Sequence, residues 1–318
     1  MKTRILILVS IFITGSLFAQ TNWSEVNYAK EYKRKVNFSG SSVKSLKKNK
    51  TFIAGYTISQ ATYMKGSNTT ATTGIHSKAG LGGLDNESYL QMVDELYLEL
   101  VQELEAAGLQ MTNGDDVLAS KYVQGKIAKD KKDEFIGSTG DWPIKEGKKK
   151  ISDGSIPGYG AWAVHRDVSF QPTNKNIYKT TSLLKWGNFN LKLAAKEKYN
   201  LMLVDFYVSF ASFDGSRGYK DIKIETNAVM AVSVRIYMFS ASGGKTEVYY
   251  KNLPVWGGDD WNLGFNKTKD NSSDAELFGL AASAEYQITA DPEKYAEEAK
   301  SIISNFQKDI AKGIKENL

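Results

Sequence analysis

Residues 199–213 read YNLMLVDFYVSFASF, and this density of β-branched and aromatic residues predicts a strand. Alternate residues of a strand point to opposite sides, so Met202, Val204, Phe206, Val208 and Phe210 share one face. Leu201, Leu203 and Tyr207 make the other face half apolar. A strand that is apolar on both sides belongs near the centre of a sheet covered on both faces. The next apolar run, AVMAVSVRIYMF at 228–239, repeats the pattern, with Ala228, Met230, Val232, Val234, Ile236 and Met238 on one face. A polar loop over 214–220 separates the two runs. ASGG at 241–244 followed by KTEVYYKNL reads as a turn and a return strand.

A sheet of this kind needs helices to cover it, and two amphipathic stretches qualify. SYLQMVDELYLELVQELEAA at 88–107 places Tyr89, Val93, Leu96, Leu100, Val101 and Leu104 on one stripe. Ser88 and Gln91 suit a capping box, and Gly108 suits the left-handed residue after the last turn. The acidic residues Asp94, Glu95, Glu99, Glu103 and Glu105 read as a solvated face. Near the C-terminus Asp291 is a good N-cap and Pro292 a good first helical residue. Tyr295, Ala299, Ile302, Ile303, Phe306, Ile310 and Ile314 follow at helical spacing.

Smaller elements complete the reading. TFIAGYTIS from Thr51 suits a strand, Leu109–Thr112 a short strand, 115–127 a second helix, and LKLAAKEK at 191–198 a short helix. The stretch from Lys65 to about Asn86 reads as a flexible connection. The resulting fold class is α/β (α+β): a three-layer sandwich with a mixed sheet, helices on its faces and irregular insertions. The single domain spans 51–318, with insertions at about 128–182 and 251–290. A lysine-rich extension over 20–50 precedes it.

The first 19 residues set a compartment. Lys2 and Arg4 precede an apolar run from Ile5 to Ile13, and Gly15, Ser16 and Ala19 lead to a cut before Gln20, the order of a secretory signal peptide. The run is shorter than the roughly 20 residues of a membrane span, which favours a cleaved leader over the rival reading of an uncleaved anchor. Cleavage leaves 299 residues and lowers the formal charge from +5 to +3, too mild for dedicated nucleic-acid binding. No cysteine is present. Disulfides, thiolate metal sites and cysteine nucleophiles are therefore excluded, and stability has to come from the core. Periplasm, an outer-membrane-associated position or the extracellular space is the expected location, with no transmembrane helix in the mature chain.

Chemistry is sparse. The two histidines, His76 and His165, lack the nucleophile-elbow motif that marks many serine hydrolases, and ligands for zinc are few. No metal or cofactor is expected, although Asp214, Asp259 and Asp260 leave oxygen ligation of calcium open. The expectation is a protein without enzymatic activity. The segment VWGGDDWNLGF at 255–265 stands out, because Trp256 and Trp261 flank Asp259 and Asp260 beside glycines. Tryptophan faces with nearby carboxylates bind sugars or partner proteins, and the same residues also pack loops onto domains. Trp142 and Trp162 carry the same two readings.

Three stretches resemble the CsgG-like fold: ELYLELVQELEAAGLQMTNGDDVLASKYV, KLAAKEKYNLMLVDFYVSFASF and AVMAVSVRIYMFSASGGKTEVYY. They are similar to that family's helix, glycine, strand and capped helix, to its short helix entering a strand through a residue pair (here Tyr199-Asn200), and to its hairpin with Gly243-Gly244-Lys245 at the turn. The family includes curli secretion subunits and periplasmic lipoproteins that bind cell-wall synthases. The resemblance implies an envelope protein acting in assembly, through another envelope protein or self-association. Two alternatives stay open: a secreted glycan- or small-ligand-binding module, and a secretion-channel subunit. The chain departs from the lipoproteins in lacking an anchor cysteine.

Overall fold

A computed structural model describes residues 36–40, 43–69, 74–84, 86–113, 115–122, 140–142, 161–165, 190–217, 222–250, 254–270 and 282–318. The proposed leader, 1–19, and most of the basic extension lie outside these residues. So does much of the 128–182 segment. Among the described residues no helix is long and apolar enough to cross a membrane.

The strands are β1 (Val36–Gly40), β2 (Thr51–Ala61), β3 (Tyr63–Thr69), β4 (Gly74–Gly82), β5 (Met111–Thr112), β6 (Gly140–Trp142), β7 (Ala161–His165), β8 (Asn200–Arg217), β9 (Ile222–Phe239), β10 (Lys245–Tyr250), β11 (Val255–Trp256), β12 (Asn262–Asp270) and β13 (Ala282–Ala290). The helices are α1 (Asn86–Ala106), α2 (Asp115–Leu118), α3 (190–197) and α4 (Pro292–Asn317). A 3₁₀ turn covers Val43–Lys48.

The main sheet runs β1-β10-β9-β8-β2-β7-β6, with β11 on β9 and β5 on β2. It is mixed: β2 is parallel to β8 and β5, whereas β8–β9 and β9–β10 are antiparallel. The doubly apolar strand lies inside the sheet, as its sequence requires. On one face Met202, Val204, Phe206, Val208 and Phe210 join Met230, Val232, Val234, Ile236 and Met238 in a core capped by α1 and α4. On the other, Leu201, Leu203, Tyr237 and Phe239 pack with Phe52 and Ala54 against Val117 of α2 and Leu193 and Ala194 of α3. A register shift between Ile53 and Gly55 inserts one residue against β8. This β-bulge puts Ile53 and Tyr56 on the same face although three positions separate them.

Helices α1 and α4 lie side by side and run the same way. Their buried rows are Leu96, Leu100 and Leu104 against Ile303, Phe306, Ile310 and Ile314. The acidic row of α1 borders α4: Glu95 pairs with Lys300, and Glu99 meets Lys308 at 3.1 Å and Ser304 at 2.6 Å. Lys300 beside it holds the Glu95 carboxyl below its ordinary range. Helix α1 ends as its sequence indicates. Gly108 takes φ 97°, the Leu109 N–H donates to Leu104 O at 3.1 Å and the Gly108 N–H to Glu105 O at 2.9 Å. That bond pair is the Schellman closure, and Leu104 and Leu109 are both buried beneath it. Asp291 caps α4 by accepting from the Lys294 N–H at 3.2 Å.

The structure differs from the sequence reading at four places. The stretch taken as a flexible connection forms the β3–β4 hairpin of a second sheet, ordered β12-β13-β4-β3. Of the expected polar loop at 214–220, the described residues 214–217 are strand, because β8 runs on to Arg217 and pairs there with β9, which starts at Ile222. Each hairpin accounts for the other. Past a register shift between Ser209 and Ala211, Ala211 and Phe213 join the same core as Phe210, Phe213 fills the space beside Gly66, and Ser77 bonds Thr226 at 2.5 Å. The segments read as insertions contribute strands too. Strands β6 and β7 extend the main sheet beside β2, and β12 with β13 builds half of the second. Upstream of Thr51, β1 pairs with β10, and Val43 and Leu46 enter the core.

Asn200 is fully buried at the start of β8. Its side chain donates to Leu46 O at 2.7 Å and Asn49 O at 2.9 Å and accepts from the Ala241 N–H at 3.1 Å. Asn200→Ala strands those groups away from water and is expected to cost about 3 kcal/mol, read as a lowered midpoint in urea unfolding. A second expectation concerns alkali. Burial, then the Glu247 charge, pushes the Tyr237 phenol up to about 12 from an ordinary 10.0, and burial raises Tyr56 and Tyr295 as well. Such phenols keep their protons in the folded chain where the unfolded chain has lost them. Stability is therefore intact below pH 10 and falls as pH rises toward 12. Ultraviolet titration should show phenolate from the buried tyrosines appearing together with the loss of circular dichroism.

Candidate functional site

The segment 255–265 is held from two sides. Strand β11 lies on the middle of β9, with Val255 opposite Val232 and Trp256 opposite Ala231. The Gly257 N–H donates to Met230 O at 2.8 Å, and the Gly258 N–H donates to Glu298 Oε1 of α4 at 2.8 Å. Glycine at 257 lets α4 come close, and any larger residue makes two α4 side chains shift. A Cβ there would sit 2.6 Å from Glu298 Oε1 and 2.9 Å from Ile302 Cδ1. The chain then turns, the Asn262 N–H donating to Asp259 O at 2.9 Å, and enters β12.

The two tryptophans of this segment have different fates. Trp261 is fully buried. Its indole N–H donates to Gly258 O at 2.9 Å, its ring meets Tyr295 edge-on at 4.8 Å, and its carbonyl accepts from the Asp291 N–H at 2.8 Å. Trp261 therefore packs the loop onto the first turn of α4. Trp256 remains 44% exposed. Asp259 and Asp260 are exposed at the turn between them. Among the described residues the large apolar side chains left in solvent are Leu98, Trp256, Leu263 and Phe265. All but Leu98 fall within ten consecutive residues. Phe265 stacks on Tyr286 at 5.0 Å, and Lys267 lies over that ring and pairs with Asp270 at 2.5 Å.

The sequence singled out Trp256, Asp259, Asp260 and Trp261 but missed Leu263 and Phe265. Their signal was the alternation Leu263-Gly264-Phe265 running into Lys267 and Lys269, which marks an edge strand. Trp142 and Trp162 lie on β6 and β7, and their side chains are outside the described set. Register places Trp142 opposite Ala163, and Trp162 opposite Gln60, so the two positions belong to opposite faces of the sheet. The histidines are on different sheets, His76 on β4 and His165 on β7 opposite Thr57. Asp214 accepts from Asn227 at 3.2 Å. Among the described residues no three His, Cys, Asp or Glu gather to hold a metal.

Comparison with known proteins finds no matching family, no matching curated protein and no matching solved structure.

The division of labour between the tryptophans is open to a direct check. Gly257→Ala drives a methyl into Glu298 and Ile302 and is expected to cost about 2 kcal/mol. Trp256→Ala, which removes a side chain only 44% exposed, is expected to cost about 1 kcal/mol, less than Gly257→Ala. Thermal unfolding of the two variants beside the parent reads both numbers.

Proposed function

We propose that the chain is an exported, non-enzymatic envelope protein of the CsgG-like kind, which docks another envelope component through the surface of Trp256, Leu263 and Phe265. The observation that carries this reading is three exposed apolar side chains within ten residues of a segment fixed by β9 and α4 at Trp256 and by β13 at Leu263 and Phe265. A pre-set surface loses little entropy on binding, and tryptophan is a common anchor of interfaces. The leader-like N-terminus supports an envelope location, and the helix–glycine–strand and hairpin stretches support the family.

Trp256 beside Asp259 and Asp260 also favours a second reading, glycan binding. A sugar platform made from both tryptophans is not on offer, since Trp261 is spent on packing. The secretion-channel reading draws less support, because the long strands β8 and β9 carry their apolar faces under helices.

A photo-crosslinking residue placed at 256 or 263 in cells should give a discrete protein adduct, while the same residue at 98, exposed on α1, should not. Adducts absent from all three positions would remove the docking surface. Binding to immobilised glycans that is lost in Trp256→Ala would replace it with the second reading.

A further inference from the structure

We infer that β12 is a self-complementary edge through which two copies of this chain join antiparallel, merging their four-stranded sheets into one of eight strands. The inference rests on the docking reading for the surface used and adds the identity of the occupant. Among the described residues strand β12 closes the second sheet on one side and pairs with β13 alone. At nine residues it is longer than the other edge strands β1, β3 and β6. An open edge presents a row of backbone donors and acceptors to another strand. Leu263 and Phe265 beside it are 64% and 40% exposed.

The occupant follows from the charges. The N-terminal approach to the strand is acidic, with Asp259 and Asp260 exposed; in its C-terminal half Lys267 is paired with Asp270, which leaves the exposed Lys269 as the net positive charge. Parallel pairing of two copies sets aspartate against aspartate and lysine against lysine. Antiparallel pairing about Gly264 brings the acidic turn at Asp259 and Asp260, just ahead of the strand, toward Lys269 of the other copy. The same register places Leu263 of each copy opposite Phe265 of its mate. Every contact then occurs twice, as a two-fold interface demands. The lysines and the register shifts at Leu263 and Thr268 are features that keep edges from pairing indiscriminately. Here they leave the uncharged stretch Leu263–Asn266 for contact and penalise the parallel arrangement.

The test uses the mature chain in sedimentation equilibrium over a concentration series. The parent is expected to dimerise. Asp259→Lys and Lys269→Glu, each checked for folding by circular dichroism, should each weaken self-association at least tenfold, because each brings like charges together twice. Mixing these two variants should restore a heterodimer, in which both pairs are again opposite in sign. A parent that stays monomeric, variants that dimerise as the parent does, or a mixture that fails to recombine would each overturn the inference. A monomeric parent that still gives a crosslinked adduct from position 256 would leave the docking reading standing, so the two fail separately.

Discussion

The side-chain amide of Asn200 reaches the 3₁₀ turn, the loop ahead of β2 and the turn between β9 and β10 at once. Its importance comes from what surrounds it. A strand with one oily face has its register fixed by burial, since a slip of one residue exposes that face. Strand β8 is apolar on both sides near its start, so a slip there exchanges Met202 and Val204 for Leu201 and Leu203 at little hydrophobic cost. A buried amide whose hydrogen bonds are met in one register restores the discrimination that the apolar residues lack. Misplacing it leaves several polar groups dry, at about 1–3 kcal/mol each. Strands β2 and β9 pair with β8 on either side and inherit its register, and the helices then find their grooves.

The covering helices obey the opposite balance. Glu95–Lys300 and Glu99–Lys308 link α1 to α4, but both pairs face solvent, where such contacts are worth about 1 kcal/mol or less. Ile303, Phe306, Ile310 and Ile314 are fully or almost fully buried, at about 2 kcal/mol for each large apolar side chain. Apolar burial holds the helices down, and the ion pairs set only their relative rotation. Two glutamines enter this interface. Gln307 donates to Tyr56 at 2.5 Å and Gln60 to Tyr295 at 2.8 Å. They tie α4 to β2 at named points on an otherwise sliding contact.

The legible parts of the sequence were those in which local and tertiary demands agree. Asp291-Pro292 and Gly108 mark helix ends because cap chemistry is local, and period-two burial marks β8 and β9 because a buried strand repeats one environment along its length. The β3–β4 hairpin was not legible. Its inward positions include Gly66, Ser77 and Ala79, kept small by the approach of Phe213 and Thr226 from a hairpin more than a hundred residues away. Nothing local distinguishes that smallness from loop composition. The exposed half of the candidate site failed for a related reason. Two tryptophans five residues apart look equivalent until the position of α4 is known, and only then does Trp261 become core and Trp256 surface.

That separation bears on what the segment is for. Packing alone would be satisfied by Trp261, Gly257 and Gly258, which already lock the loop to β9 and α4. Trp256, Leu263 and Phe265 stay 44%, 64% and 40% exposed beside that lock, and a lone chain bears the cost of keeping those apolar surfaces in water. A floppy loop could hide such residues by collapsing onto the domain. This one is held by backbone bonds to Met230 and by Glu298, and its freedom to do so is small. Rigidity and exposure in the same ten residues pull against each other in a monomer and agree in a complex, where the ordering of the surface has been met in advance by folding.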